Sequence, residues 1–263
     1  MRRIATAAAG IVCIAAFAGA ADAADLPVKT YTKAPPMVAP VYDWSGFYIG
    51  LNAGGASSRE CWTVFSVANL PVGPDSEGCH NATGGLVGGQ IGYRWQATNF
   101  VFGLEAQGDW ANLKGSNSSL AAGIFPFINQ TKINGIGLFT GQIGYAFNNV
   151  LWYVKGGAAV TDNHYSSFFT ANGVVFNQAD ETRWGGAVGT GIEFAFAPNW
   201  SIGIEYDHLF MGTKSVVFPF QATQAPVGPP GFAVTRSDNI SQDVDMATIR
   251  LNYRFGGPIV AKY

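Results

Sequence analysis

The feature that most constrains this chain is a period of two that returns eight times. Segments 46–55, 84–95, 99–110, 132–147, 150–162, 182–196, 199–211 and 244–255 each alternate apolar residues with polar or small ones. Successive side chains of a strand point to opposite faces, so each segment carries one apolar face and one that is not. In the first, Phe47, Ile49, Leu51 and Ala53 share a face. In the third, Phe100, Phe102, Leu104 and Trp110 stand opposite Glu105, Gln107 and Asp109. In the eighth, Ile249, Leu251, Tyr253 and Phe255 stand opposite Thr248, Arg250, Asn252 and Arg254. The segments run about 10–16 residues. A tilted strand crosses a bilayer in roughly 9–11, whereas strands of soluble proteins cluster near 5–6.

The connections alternate in length. Those at 96–98, 148–149 and 197–198 are tight; those at about 56–83, 111–131, 163–181 and 212–243 are long. Short turns on one rim and long loops on the other form the pattern of an outer-membrane barrel. Aromatic residues near the strand ends (Phe47, Trp95, Phe100, Phe147, Trp152, Phe196, Trp200) suit an interfacial girdle. The expected fold is all-β: an eight-stranded antiparallel transmembrane β-barrel over residues 44–255, with four long outer loops and short periplasmic turns.

Composition removes the competitors. Only 12% of the 263 residues are charged, 34 are Gly, and the net charge is −2. A coiled coil, a disordered tail and a nucleic-acid partner are excluded by that balance. No internal run of about 18 apolar residues exists, so a bundle of transmembrane helices is excluded too. A soluble eight-stranded barrel would place its polar face in water. Here that face is thinly charged and rich in Gly, as a crowded lumen requires.

The first residues read as an address. Arg2 and Arg3 precede an apolar stretch from Ile4 to Ala21, and Ala21-Asp22-Ala23 is a small-x-small site. Residues 1–23 are expected to be a cleaved signal peptide, 24–43 a Pro-rich periplasmic lead-in, and 256–263 a C-terminal extension. Export leads to an oxidising compartment, so Cys61 and Cys79 are expected to form a disulfide. Only His80 lies beside them, too few ligands for a metal.

If the apolar faces meet lipid, the opposite faces bring Arg94, Lys155, Arg183, Arg250 and Arg254 inward with Glu105, Asp109, Glu193, Glu205 and Asp207. An eight-stranded barrel is just wide enough for side chains to fill, and unpaired charges there are costly. Two readings follow: a charge-paired plug centred on Glu105, Glu205, Arg250 and Arg254, or a narrow path for ions or small solutes. His80 and His164 fall in or beside the outer loops, and His208 lies on the apolar parity of the seventh segment. No fixed-spacing Ser/His/acid set accompanies them. No catalytic residue, cofactor or metal is expected, and the protein is not expected to be an enzyme. The loops carry apolar residues at 122–128, 168–176 and 216–220, suited either to an interaction site or to packing over the barrel mouth.

The stretch Asp43-Trp44-Ser45-Gly46-Phe47-Tyr48-Ile49-Gly50 resembles the start of the small outer-membrane β-barrel proteins of alpha-proteobacteria, porin-like surface antigens related to opacity-type adhesins. Gly92-Tyr93-Arg94, Gly103-Leu104-Glu105, Gly141-Gln142-Ile143-Gly144-Tyr145, Lys155-Gly156-Gly157-Ala158, Ile204-Glu205-Tyr206 and Arg250-Leu251-Asn252-Tyr253-Arg254-Phe255 fit the same pattern in order and spacing. The resemblance spans residues 44–255. It implies an integral outer-membrane protein with a structural, surface-antigen or porin-like role. Haem binding is known among relatives, but no residue-level motif for it transfers to this chain. The family ends its last strand on Phe near the chain end; here Phe255 or Tyr263 would be the assembly signal. The partners expected are outer-membrane lipid and lipopolysaccharide, the barrel-assembly machinery and, on the adhesin alternative, an extracellular ligand held by the loops. The expected state is a monomer.

Overall fold

The computed structural model describes residues 42–67, 70–121, 126–219 and 235–256. The signal peptide, most of the lead-in, Tyr263 and nearly all of the C-terminal extension lie outside the described residues. Eight strands form a closed antiparallel barrel in sequence order: β1 (Gly46–Val67), β2 (Leu70–Ala97), β3 (Phe100–Ser118), β4 (Phe127–Phe147), β5 (Val150–Phe169), β6 (Val175–Ala197), β7 (Trp200–Phe218) and β8 (Arg236–Phe255). The ring closes where β1 pairs β8, from Phe47 opposite Phe255 to Val67 opposite Arg236. Closure leaves no strand edge, which in lipid is the condition for every backbone group to be paired.

Burial alternates along each strand as the sequence period requires. Phe47, Ile49 and Leu51 of β1 face outward, as do Trp95, Tyr93, Ile91 and Val87 of β2, while Tyr48, Asn52, Gln90 and Arg94 are buried. The outward apolar band gives way to polar residues toward the far rim: Ser57 and Arg59 on β1, Asn112 and Lys114 on β3. At the near rim, outward aromatics touch across strands, with Trp200 5.0 Å from Tyr253 and Phe47 5.6 Å from Phe255. The near-rim turns are tight, and Thr98 and Asn148 take positive φ at two of them.

The long connections read from the sequence are mostly strand. β1 and β2 run on to Val67 and Leu70, and the other three outer hairpins lengthen in the same way. Above the bilayer both faces of a strand can be polar, so the hydropathy alternation fades while the hydrogen-bonded ladder continues. Bulges hide the rest. Register shifts between Ile133 and Gly135 on β4, and between Phe210 and Gly212 on β7, insert an extra residue. One inserted residue exchanges the two faces. Below them the lumen takes even positions of β4 (Thr140, Gln142) and odd positions of β7 (Glu205, Leu209); above them it takes Asn129, Thr131 and Ile133, and Val216 and Phe218.

Candidate functional site

The lumen is stratified. At the periplasmic end Trp44 packs with Val101, Ala146, Leu151 and Tyr153. Its backbone N–H donates to Gln96 Oε1 at 2.8 Å, and its indole N–H to the Asn148 carbonyl at 3.3 Å. Just above, Arg94 donates to Glu193 at 2.8 Å, with its guanidinium 4.4 Å from the centre of the Tyr48 ring.

The central charge layer follows. The Arg250 guanidinium donates to Glu105 through one terminal nitrogen and to Glu205 through the other. Lys155 Nζ lies 2.6 Å from Glu205, 3.2 Å from Asp207 and 3.6 Å from Glu105. Two tyrosines complete it in matching fashion: Tyr48 donates to Glu105 and Tyr153 to Glu205, each at 2.5 Å. Each phenol occupies the place of a side chain missing from the facing strand. A Cβ at Gly92 would stand 2.5 Å from the Tyr48 oxygen, and one at Gly191 2.5 Å from that of Tyr153. Glycine at these two positions is what admits the tyrosines.

Above the charges lies an apolar layer that includes Leu86, Leu113, Ile136, Leu138, Leu209 and Met246. Next come Ser58, Glu60, Asn163, Gln242 and Arg183, all buried. Burial, opposed by the Ser58 hydrogen bond and by Arg183, pushes the Glu60 carboxyl up to about 8. An aromatic layer follows: Trp62 stacks on Phe218 at 5.6 Å and meets Tyr165 edge-on at 5.5 Å. At the outer rim Glu77 and Asp238 flank Arg236, and Asn129 donates to Glu77 at 2.7 Å. The Cys61–Cys79 disulfide joins directly opposed residues of β1 and β2, with Cα atoms 4.1 Å apart.

All ten charged residues assigned inward by the sequence are buried, but they are not one network. Glu105, Lys155, Glu205, Asp207 and Arg250 meet in the central layer, and Arg94 with Glu193 forms a separate pair. Arg254, expected at the centre, is at the periplasmic rim, where it donates to the carbonyls of Ser45 at 3.1 Å and Pro198 at 3.2 Å. Unpaired turn carbonyls draw it away from the carboxylates. Arg183 is separated from the centre by the apolar layer and donates to Glu181 and to the Ile240 carbonyl. Asp109 accepts from Gln107 at 2.9 Å. The period of two places Gln142 on the lumen face with Thr140, whereas Tyr48 and the inward apolar layer stand outside the inward set read from the sequence. Their lumen parity was the available signal, since Leu138 shares the face of Thr140 and Gln142.

The histidines stand on strands rather than in loops. His208 faces outward and is 2.7 Å from Asp245, and His164 is bonded to Asp180. His80 is held between Asn117 at 2.7 Å and Thr131 at 3.0 Å. The last set has the linear order of a nucleophile, base and orienting amide. Thr131 is fully buried, however, which denies its hydroxyl a substrate. Burial holds the His80 imidazole below its ordinary value, against the Asn117 hydrogen bond. Of the apolar rim stretches, Phe169 stacks on Phe176 at 4.4 Å, and Phe218 is buried inside the mouth.

Residues 4–255 match the family model described as outer membrane protein beta-barrel domain. The 31 kDa outer-membrane immunogenic protein of Brucella melitensis is 32% identical over 212 residues, 77% of this chain and 86% of the relative. The 25 kDa outer-membrane immunogenic protein of Brucella abortus is 27% identical over 208 residues, 79% of this chain and 83% of that one. Among solved structures, the outer membrane protease OmpT of Escherichia coli superposes with a TM-score of 0.52 at 8% identity, covering 84% of this chain and 99% of that one. At that identity the likeness concerns the fold alone. The barrel, its apolar outer band and these relatives agree: the chain belongs to the outer membrane protein beta-barrel domain family and is a bacterial outer-membrane protein.

Proposed function

We propose that this protein is a non-conducting, non-enzymatic barrel that anchors a surface-exposed rim in the outer membrane as a structural surface antigen. The observation that carries this reading is the Arg250 clamp between Glu105 and Glu205, overlain by an apolar layer across the same lumen. A hydrated ion crossing that layer would exchange water for leucine and methionine side chains, and desolvating a charge there is prohibitive without compensating partners. The charge layer beneath is itself cross-linked. Removing one partner of such a buried pair leaves an uncompensated charge, so the pairs hold each other in place. The immunogenic outer-membrane relatives support the surface-antigen role. Engagement of all three histidines by polar neighbours, and the burial of Thr131, support a role without catalysis.

On this reading the barrel is a monomer delivered by the barrel-assembly machinery. Its outward band meets lipid, and its polar upper wall meets lipopolysaccharide. Single-channel recording on the refolded protein in planar bilayers tests it, with heat-modifiable gel mobility as the folding control. No conductance steps are expected. Reproducible small steps that change when Glu205 or Arg250 is replaced would establish instead a narrow channel with those charges as its filter.

A further inference from the structure

The outer rim contains a pocket of about 400 Å³ that the lumen plug does not use. That volume falls within the range of small-molecule sites, roughly 300–1,000 Å³. Its apolar walls come from Val64 and Val67 of β1, Val72 of β2, and Phe127 and Phe176 of β4 and β6. The two phenylalanines meet edge to face, with ring centres 5.4 Å apart. Its polar groups are Asp75, Glu77, Asn177 and Arg236.

The charges are unevenly matched. Arg236, the one cation among the described lining residues, is bonded to Glu77 and donates to both oxygens of Asp238, at 2.9 and 2.7 Å. Its guanidinium also lies 5.1 Å from the centre of the Phe127 ring. One guanidinium between two carboxylates leaves a negative charge over, and exposed Asp75 adds another. A further observation, independent of the charges, concerns Asn177. Its side chain lines the pocket and is only 2% exposed, yet its Oδ1 receives no hydrogen bond among the described residues. A buried acceptor left without a donor is costly. The pocket therefore combines surplus negative charge and an unpartnered acceptor with apolar walls.

We infer that this pocket binds a small primary amine with an apolar body, its ammonium directed at Asn177 and Asp75 and its body against the valines and phenylalanines. The ammonium N–H supplies the donor that Asn177 lacks, which a quaternary ammonium cannot do. A carboxylate on the same body would be repelled by Glu77 and Asp75.

The test uses the refolded protein in detergent micelles with methyl-labelled valine, titrated with 2-phenylethylamine. Saturable NMR shifts are expected at Val64, Val67 and Val72. 3-Phenylpropionate and benzyltrimethylammonium should bind more weakly. Asn177→Leu removes the acceptor and should raise Kd by about tenfold, the size of one hydrogen bond to a charged group. Asp75→Asn, at an exposed position, should raise Kd a few-fold and lower its dependence on salt. Gel mobility establishes that both variants fold. Shifts that do not saturate, equal binding of the carboxylate or the quaternary cation, or an unchanged Kd in both variants would overturn the assignment. None of these outcomes depends on whether the lumen conducts.

Discussion

The lower and upper halves of this barrel solve the same problem with different chemistry. In the membrane-embedded half, lipid takes the apolar side chains and the lumen takes the charges, which must then pair with one another. In the upper half the outer wall is polar, and the lumen instead gathers Trp62, Tyr165 and Phe218 above a buried carboxyl, Glu60. The lower half is held by complementary charge in a confined space. The upper half is held by aromatic packing, a disulfide, neutral hydrogen bonds and, apart from the central layer, the ion pairs of Arg183 with Glu181 and of Arg236 with Glu77 and Asp238. Stability should therefore respond to different substitutions, and to different solvent conditions, above and below the apolar layer.

The sharpest break in that contrast is Arg250→Ala, which takes the guanidinium from between Glu105 and Glu205 and leaves two buried carboxylates, with Asp207 beside them, to share Lys155 alone. A loss of about 3–5 kcal/mol is expected in urea unfolding of the refolded barrel. Arg254→Ala, which removes hydrogen bonds to two carbonyls and a contact with the Tyr42 ring but strands no carboxylate, should cost about 1–2 kcal/mol. Equal losses from the two would remove the distinction between centre and rim.

The upper half should report pH through Glu60. Its carboxyl ionises near 4.5 ordinarily and near 8 in the fold, raised by burial. Below the lower value the folded and unfolded chains both hold the proton. Between the two values the unfolded chain releases it while the folded chain keeps it, so stability falls as pH rises across that window and levels off above it. The effect is on the order of 2–5 kcal/mol. Glu60→Gln should abolish that slope, as urea midpoints measured from pH 4 to 9 would show.

Replacing Cys61 and Cys79 by Ser should cost up to about 3 kcal/mol in the chain-entropy account. The cost belongs to the upper half. Hydrogen exchange should quicken on β1 after Ser58 and on β2 before Ala82, which pairs with it, and stay unchanged around Glu105. Thr131→Val deletes one hydrogen bond to His80 and should cost about 1 kcal/mol. Smallest of all, Lys214→Ala opens a half-exposed pair with Glu181, 2.9 Å apart, and should change stability by about 0–1 kcal/mol.

The two halves also differ in how much of them the sequence discloses. In the lower half the period of two is unbroken, and lipid and lumen demand opposite chemistries. Phe102 against Glu105, or Leu251 against Arg250, therefore reveals strand, face and membrane together. In the upper half water replaces lipid. Outward Ser57, Arg59 and Lys114 no longer contrast with inward Ser58 and Glu60, and strands pass for loops. The bulges on β4 and β7 then exchange the faces, so that Val216 and Phe218 read as exposed loop residues although they line the mouth. The charge layer was half legible. Parity turns Glu105, Lys155, Glu205 and Arg250 inward, but it does not say which of ten buried charges share a height. Height depends on register around the closed barrel, and register separates Arg183 and Arg254 from the centre. Tyr48 and Tyr153 needed that same register, because their place is fixed by Gly92 and Gly191 on neighbouring strands.

The central claim is that the lumen is dry between the charge layer and the aromatic layer. Thiol accessibility at Ala159, fully buried in the apolar layer, tests it most directly. With Cys13 replaced by Ser and the Cys61–Cys79 disulfide intact, Ala159→Cys introduces a single free thiol, and Ser116→Cys on the exposed rim is the accessible control. The account predicts that a small charged methanethiosulfonate modifies the rim thiol rapidly and the Ala159→Cys thiol no faster than the barrel unfolds. Modification of both at comparable rates in the folded barrel would contradict it and place a continuous water path through the lumen.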